Sequence, residues 1–270
     1  MSNRAVFFYR DSINIFCDTS DKEINTVYGK FKTTCAGFIA TYQGRIITSG
    51  MEVFIDDDTL FGESKAVETS VYWAHVAASH NIIVSDGFSI FSDSSTTVGG
   101  ICNLLFSWYD RLNAEQRMGL VQSGPKNPGV TWEDNVYNAA YSIFTSGLPI
   151  RVLYCPGHVA VYNRPFAYKK QEEKFLRVNE RFHGDLSNEI DINILHDMAT
   201  YNNLVDMMTR NYLFINKDTI EKDVNNFGSV VGLATGNRYF PIRWPFTSAQ
   251  IPNYMHRDPP PQLLLTQNPS

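Results

Sequence analysis

Apolar residues come in short β-forming bursts near the N-terminus and at helical spacing further along. Ser12 to Cys17 (SINIFC), Cys35 to Tyr42 and Arg45 to Phe54 are three such bursts, the last two separated by the turn Gln43-Gly44. They predict three successive strands in an antiparallel meander. From Glu63 to His80, Val67, Val71, Ala74 and Ala78 fall four, three and four residues apart, which predicts a helix. Gly87 to Ser92 predicts a fourth strand ending at Asp93. Ser94 to Asn113 then carries Val98, Ile101, Leu104, Leu105 and Trp108 in helical register. A further helix is expected from about Thr131 to Thr145, with Thr131 as N-cap, and a fifth strand over Ile150 to Tyr154. A polar insert at 159–185 leads to a last long helix from about Ser187. The pattern predicts an α/β fold whose five-stranded mixed sheet, with the first three strands antiparallel, is flanked by helices. Its expected organisation is a domain over 1–213, an extension over 214–251 packed on it, and a flexible tail over 252–270 bearing Pro259-Pro260-Pro261.

Composition narrows the function. The chain has 270 residues, 43% of them hydrophobic, enough for a sizeable core. With 23 Lys and Arg against 28 Asp and Glu, the net charge of -5 excludes a uniformly basic surface, so any nucleic-acid site must be a local patch. No apolar run approaches the roughly 20 residues that span a bilayer. The N-terminus meets Arg10 and Asp11 too soon for a secretory segment, so the expectation is an intracellular, non-secreted protein with no membrane partner. Cys17, Cys35, Cys102 and Cys155 lack Cys-x-x-Cys spacing and read as reduced core thiols rather than zinc ligands.

The candidate chemistry lies in acidic residues. Asp18 and Asp93 each follow an apolar strand, and Glu68 lies on the helix between them. If the two strands were neighbours, these carboxylates could share a hard cation. Crowded negative charge needs such an ion, and oxygen-only ligands suit Mg²⁺. Taken singly, each of these residues is better explained as a cap or a solvated side chain.

These residues, in this order, resemble the type I branch of the ribonuclease H family over roughly Ser12 to Leu204. Phe16-Cys17-Asp18-Thr19-Ser20 is similar to the family's first-strand Asp motif, and Ala66-Val67-Glu68-Thr69 to its glutamate helix. Phe91-Ser92-Asp93-Ser94 resembles the fourth-strand Asp-Ser motif, and Tyr154-Cys155-Pro156-Gly157-His158 the fifth strand and loop histidine. Ser187-Asn188-Glu189-Ile190-Asp191 resembles the Asn-Glu-x-x-Asp start of the last helix, one residue short in its spacing. The resemblance implies that Asp18, Glu68, Asp93 and Asp191 hold two Mg²⁺ ions, with Mn²⁺ as substitute, and that His158 assists proton transfer or product release. Asp197 and Glu189 are alternatives for the fourth carboxylate, and His183 is a rival to His158. The implied activity is hydrolysis of the RNA strand of RNA·DNA hybrids, giving 5'-phosphate and 3'-hydroxyl ends.

Substrate contacts are expected from Ser64 and Lys65 before the glutamate, from Ser94 and Ser95 after Asp93, and from the insert. There Lys169, Lys170, Lys174 and Arg177 are interleaved with Tyr168 and Phe175, cations for phosphates beside rings for bases or sugars. Glu172, Glu173 and Glu180 equally allow a solvated amphipathic helix. Two other readings stay open: a DNA nuclease of the same fold, resolvase-like, and a non-catalytic module that binds nucleic acid or protein.

Overall fold

A computed structural model of the chain describes residues 11–55, 59–82, 84–126, 131–157 and 165–227. The elements run β1 (Ile13–Thr26), β2 (Gly29–Tyr42), β3 (Arg45–Ile55), α1 (Thr59–Ser79), β4 (Phe88–Ser92), α2 (Ser95–Arg111), α3 (Ala114–Ser123), α4 (Trp132–Ser146), β5 (Ile150–Tyr154), α5 (Pro165–His183) and α6 (Ile192–Phe227). The five strands form one sheet in the order β3-β2-β1-β4-β5. β1, β2 and β3 pair antiparallel, while β4 joins β1, and β5 joins β4, in parallel. This is the α/β fold that the sequence predicts, a five-stranded mixed sheet with its first three strands antiparallel, flanked by helices.

Alternation along β1 sends successive side chains to opposite faces. Phe16 and Ser20 meet α6: the Phe16 ring stacks on Tyr201, and the Ser20 hydroxyl accepts a hydrogen bond from Thr209 at 2.9 Å. Cys17 and Thr19 face α1, where Ser70 and Gly62 lie. Val67, Val71 and Ala74 are buried as their spacing predicts, whereas Ala78 is only partly so. α4 packs on α1, and Thr131 caps it by accepting from the Asp134 N–H at 3.1 Å. All four cysteines are buried and unbridged. Among the described residues, no helix is long and apolar enough to cross a membrane.

Three differences from the sequence expectation shape the site. β1 continues past Asp18 to Thr26, because β2 lengthens with it into a ribbon. The polar residues that suggested a strand end instead pair across the ribbon, Lys32 with Asp21 at 2.7 Å and Lys30 with Glu23 at 3.0 Å. Second, α6 runs unbroken through the boundary expected at 213/214. Its distal half covers the ribbon: the side chains of Glu221 and Asn225 accept from the N–H groups of Asn25 and Val27 at 2.9 and 2.7 Å, and Ile24, Ile220 and Val224 are buried in the same core. The rest of the expected extension and the tail lie outside the described residues. Third, part of the expected insert forms α5, a helix packed on α2 and β5. The apolar pattern predicts no helix for residues 114–123, which form α3, held by a capping box between Asn113 and Gln116.

Gly37 lets α6 lie close to the sheet. A Cβ there would come within 2.6 Å of Thr209 Cγ2 and 3.2 Å of Met208 Cε. Gly37→Ala should therefore lower stability by about 1–3 kcal/mol through overpacking. Gly119→Ala, in the exposed face of α3 with nothing within 4 Å of the added carbon, should raise it by up to ~1 kcal/mol. Urea denaturation of the two variants checks both signs.

Candidate active site

β4 stops at Ser92, opposite Cys17, whereas β1 runs on. Asp93 follows one step past that last pair, beside Asp18, at the point where the parallel pairing opens. The sequence predicts both carboxylates at strand ends; only Asp93 is at one, and Asp18 sits mid-strand, paired with Gly37 of β2.

Protein surrounds most of the half-buried Asp18 carboxyl, and this desolvation is the largest influence pushing its pKa well above the ordinary carboxylate range. Asp93 adds repulsion, with smaller contributions from Asp206 and Glu63, while the N–H of Thr19, donating to Oδ1 at 2.7 Å, opposes the rise. Asp93 at the end of β4, Glu63 of α1 and Asp206 of α6 thus each act on Asp18 of β1.

Two of the four differ from the residues expected. Glu68 does not join Asp18: Lys65 holds it at 2.8 Å, Asn138 donates to it at 3.2 Å, and it lines a separate cavity with Glu52, Thr69 and Tyr72. The reason is helical geometry. Five residues separate Glu63 from Glu68, a displacement of about 7.5 Å along the axis and a turn of about 140° around it, so both cannot face one point. Because α1 starts at Thr59, it is Glu63, in the second turn, that acts on Asp18.

The same argument moves the fourth carboxylate. Asp191 is exposed and caps α6, its Oδ1 accepting from the N–H groups of Asn193 and Ile194 at 2.7 and 2.9 Å. Asp206 lies fifteen residues on, about 22 Å along the helix. Asp197, whose carboxyl burial pushes up in pKa, falls between them beside Tyr201, and Glu189 is exposed before the helix. A signal for Asp206 was in the chain: Asn202-Asn203-Leu204-Val205-Asp206 has the full Asn-x-x-x-Asp spacing that Asn188 to Asp191 lacks. Glu63 carried no comparable signal, since the helix start was read four residues late.

Around these carboxylates the chain is tightly tied. Asp206 accepts from Ser20 Oγ at 2.8 Å and from Arg210 at 2.7 Å. Asn202 donates weakly to the Cys17 carbonyl at 3.4 Å. The segment leaving β5 passes so close that a Cβ on Gly157 would collide with Asp93 Oδ2 and lie 3.3 Å from Asn202 Oδ1, so close approach is what this glycine provides. His158, which follows it, lies outside the described residues. The rival His183 has a ring nitrogen 2.9 Å from the Val152 carbonyl and a pKa lowered by burial, which ties it to β5.

Several expected substrate contacts turn inward. Ser64 is fully buried, donating to the Phe61 carbonyl and accepting from Asn135. Ser94 is buried as the N-cap of α2, Ser95 is half-buried in its first turn, and Lys65 is committed to Glu68. On α5, Lys169, Lys170 and Arg177 are exposed, while Lys174 lies 4.4 Å over the Tyr154 ring.

Because Asp18 titrates higher in the folded chain than in the unfolded one, the folded state keeps the extra proton between the two values. Its stability accordingly falls as pH rises through the folded value. At neutral pH in EDTA, Asp18→Asn should melt a few degrees above the parent chain. The gap should close as pH falls towards about 4, the unfolded carboxylate range. Thermal melts followed by circular dichroism decide it, and an unchanged melting temperature at neutral pH would remove the repulsion.

No protein-family model matches the sequence, and no curated protein matches it. Among solved structures, the foamy viral protease-reverse transcriptase in complex with RNA/DNA hybrid is similar at a TM-score of 0.38 and 14% identity, over 60% of this chain and 20% of that one. The match thus spans a fifth of the foamy viral chain, and the functional reading rests on the carboxylates instead.

Proposed function

We propose that this chain is a metal-dependent nuclease that hydrolyses the RNA strand of RNA·DNA hybrids. The observation that carries the reading is that Asp93, Asp206 and Glu63, from three separate parts of the fold, each act electrostatically on Asp18. Among the described residues, no three of these side chains are grouped closely enough to hold a metal ion as they stand, so the reading rests on their donor chemistry, which suits a hard cation. That chemistry is all oxygen, and Asp93, Asp206 and Glu63 add repulsion at Asp18, second to the effect of burial, that a cation would offset. The neighbouring sulfurs do not compete as soft ligands: burial and the nearby carboxylates push Cys17 and Cys155 far up, so both stay neutral thiols. Once bound by these carboxylates, two Mg²⁺ ions, with Mn²⁺ as substitute, would supply an activated water and Lewis-acid stabilisation of the phosphodiester oxygens.

The chain's own part is positioning. Ser20 and Arg210 hold Asp206 in place, and the Thr19 N–H orients Asp18. His158 remains the proposed proton-transfer residue, next in sequence to the glycine packed on Asp93. The exposed cations of α5 are the proposed contacts to the phosphates of the hybrid, supplying locally the positive charge that the acidic body lacks.

Cleavage of an end-labelled RNA·DNA hybrid, beside double-stranded RNA, double-stranded DNA and single-stranded RNA, in Mg²⁺, Mn²⁺ or EDTA, tests the reading. Metal-dependent cutting confined to the hybrid's RNA strand is expected, with 5'-phosphate products. Cutting of DNA would favour a resolvase-like nuclease, and no cutting by a folded chain that still binds nucleic acid would favour a non-catalytic module. Among variants, Asp93→Asn, Glu63→Gln and Asp206→Asn should each lose at least about a hundredfold in rate, the scale of several kcal/mol of lost charge stabilisation. Glu68→Gln and Asp191→Asn should stay within a few-fold of the parent; the reverse pattern would restore the sequence assignment.

A further inference from the structure

On the side of the sheet covered by α2 and α5, a cavity of about 350 Å³ is lined by Asn103, Phe106, Ser107 and Arg111 of α2 and by Arg181 and Phe182 of α5. Its chemistry is unlike that of the acidic site. Two guanidinium groups, two phenyl rings, an amide and a hydroxyl face one space, and none of these lining residues is a carboxylate. Phe106 is 49% exposed, and the Arg181 guanidinium lies 5.1 Å from the centre of the Phe182 ring. Apolar rings left open to water beside two cations match a ligand that pairs a flat apolar face with an anion.

The cavity also continues a track. Lys170, Lys174, Arg177 and Arg181 follow one another at spacings of four, three and four, so they line one face of α5. This stripe begins near the end of β5 that adjoins β4: Lys174 lies over the Tyr154 ring, while Asn179 holds the Tyr154 backbone and His183 reaches the Val152 carbonyl further back. α5 therefore runs antiparallel to β5, away from the carboxylate end of the sheet. α2 runs from Ser94, beside Asp93, to the same cavity, whose lining residues 103–111 lie about 15–27 Å along the helix from Asp93.

We propose that this cavity binds one nucleotide of an unpaired nucleic-acid strand, its phosphate between Arg111 and Arg181 and its base against Phe106 and Phe182. The proposal extends the nuclease reading by giving the enzyme a grip on single-stranded nucleic acid beyond the duplex being cut. The cations of α5 guide the strand there, and the cavity selects an unstacked base, which a continuous duplex cannot offer.

Binding, measured by fluorescence anisotropy in EDTA, tests this independently of cleavage, so a chain that cuts nothing still gives a result. The probes are a blunt RNA·DNA hybrid, the same hybrid with a single-stranded overhang of about ten nucleotides, and adenosine monophosphate. The overhang should tighten binding by about tenfold, the worth of one stacked base. The variant Arg111→Gln, and separately Phe106→Ala, should abolish that gain while leaving affinity for the blunt hybrid and its cleavage unchanged. Equal affinity for the two hybrids, or a gain that survives in both variants, overturns the proposal. Adenosine monophosphate binding that is lost in the variants, with no overhang gain, would assign the cavity to a free nucleotide and overturn the strand.

Discussion

The closeness of α6 to β1 and β2 is the constraint on which the candidate site depends. Gly37, opposite Asp18 in the sheet, leaves space that Thr209 and Met208 fill. That contact holds Asp206 near Asp18, and Phe16 stacked on Tyr201 fixes the helix one turn earlier. The apolar core thus does electrostatic work, since packing energy holds together charges that would otherwise separate. Asp18 feels the result as a raised proton affinity, and hydrogen bonds from Ser20 and Arg210 to Asp206 offset part of the strain on that side.

The two basic features sit apart from this acidic centre. The α5 cations and the cavity between α2 and α5 are on the far side of β5, so a net charge of -5 coexists with surfaces that suit phosphates. At the acidic centre, Arg210 pairs with Asp206 at 2.7 Å.

Much of the fold was legible because its signals are local. β5 fell on Ile150 to Tyr154 as read, and Thr131 caps α4 through its own hydroxyl. The pairing of Asp18 with Asp93 was legible too, since each ends an apolar run. The further acidic residues that act on Asp18, Glu63 and Asp206, are less legible for a geometric reason: along a helix, a start placed a few residues off, or a second Asn-to-Asp spacing, changes which face and which turn carries the carboxylate. Lys65 and Asn138 reveal that Glu68 faces elsewhere, but Asn138 lies seventy residues from it in sequence. In the same way, the polar outer half of β1 reads as a loop until Lys30, Lys32 and the distal part of α6 are seen beside it.

The length of α6 bears on the order in which the molecule comes together. β1 and β4 join across some 75 residues, but Ser20 meets Thr209 across 189. Closing the larger loop carries the greater entropic cost and can be repaid only by contacts that already exist on the sheet. The fourth carboxylate therefore arrives on a surface that the first three elements have finished building. An incomplete chain emerging from synthesis is spared the full repulsion, and Asp18 gains the last of these acidic neighbours only when α6 docks on the sheet.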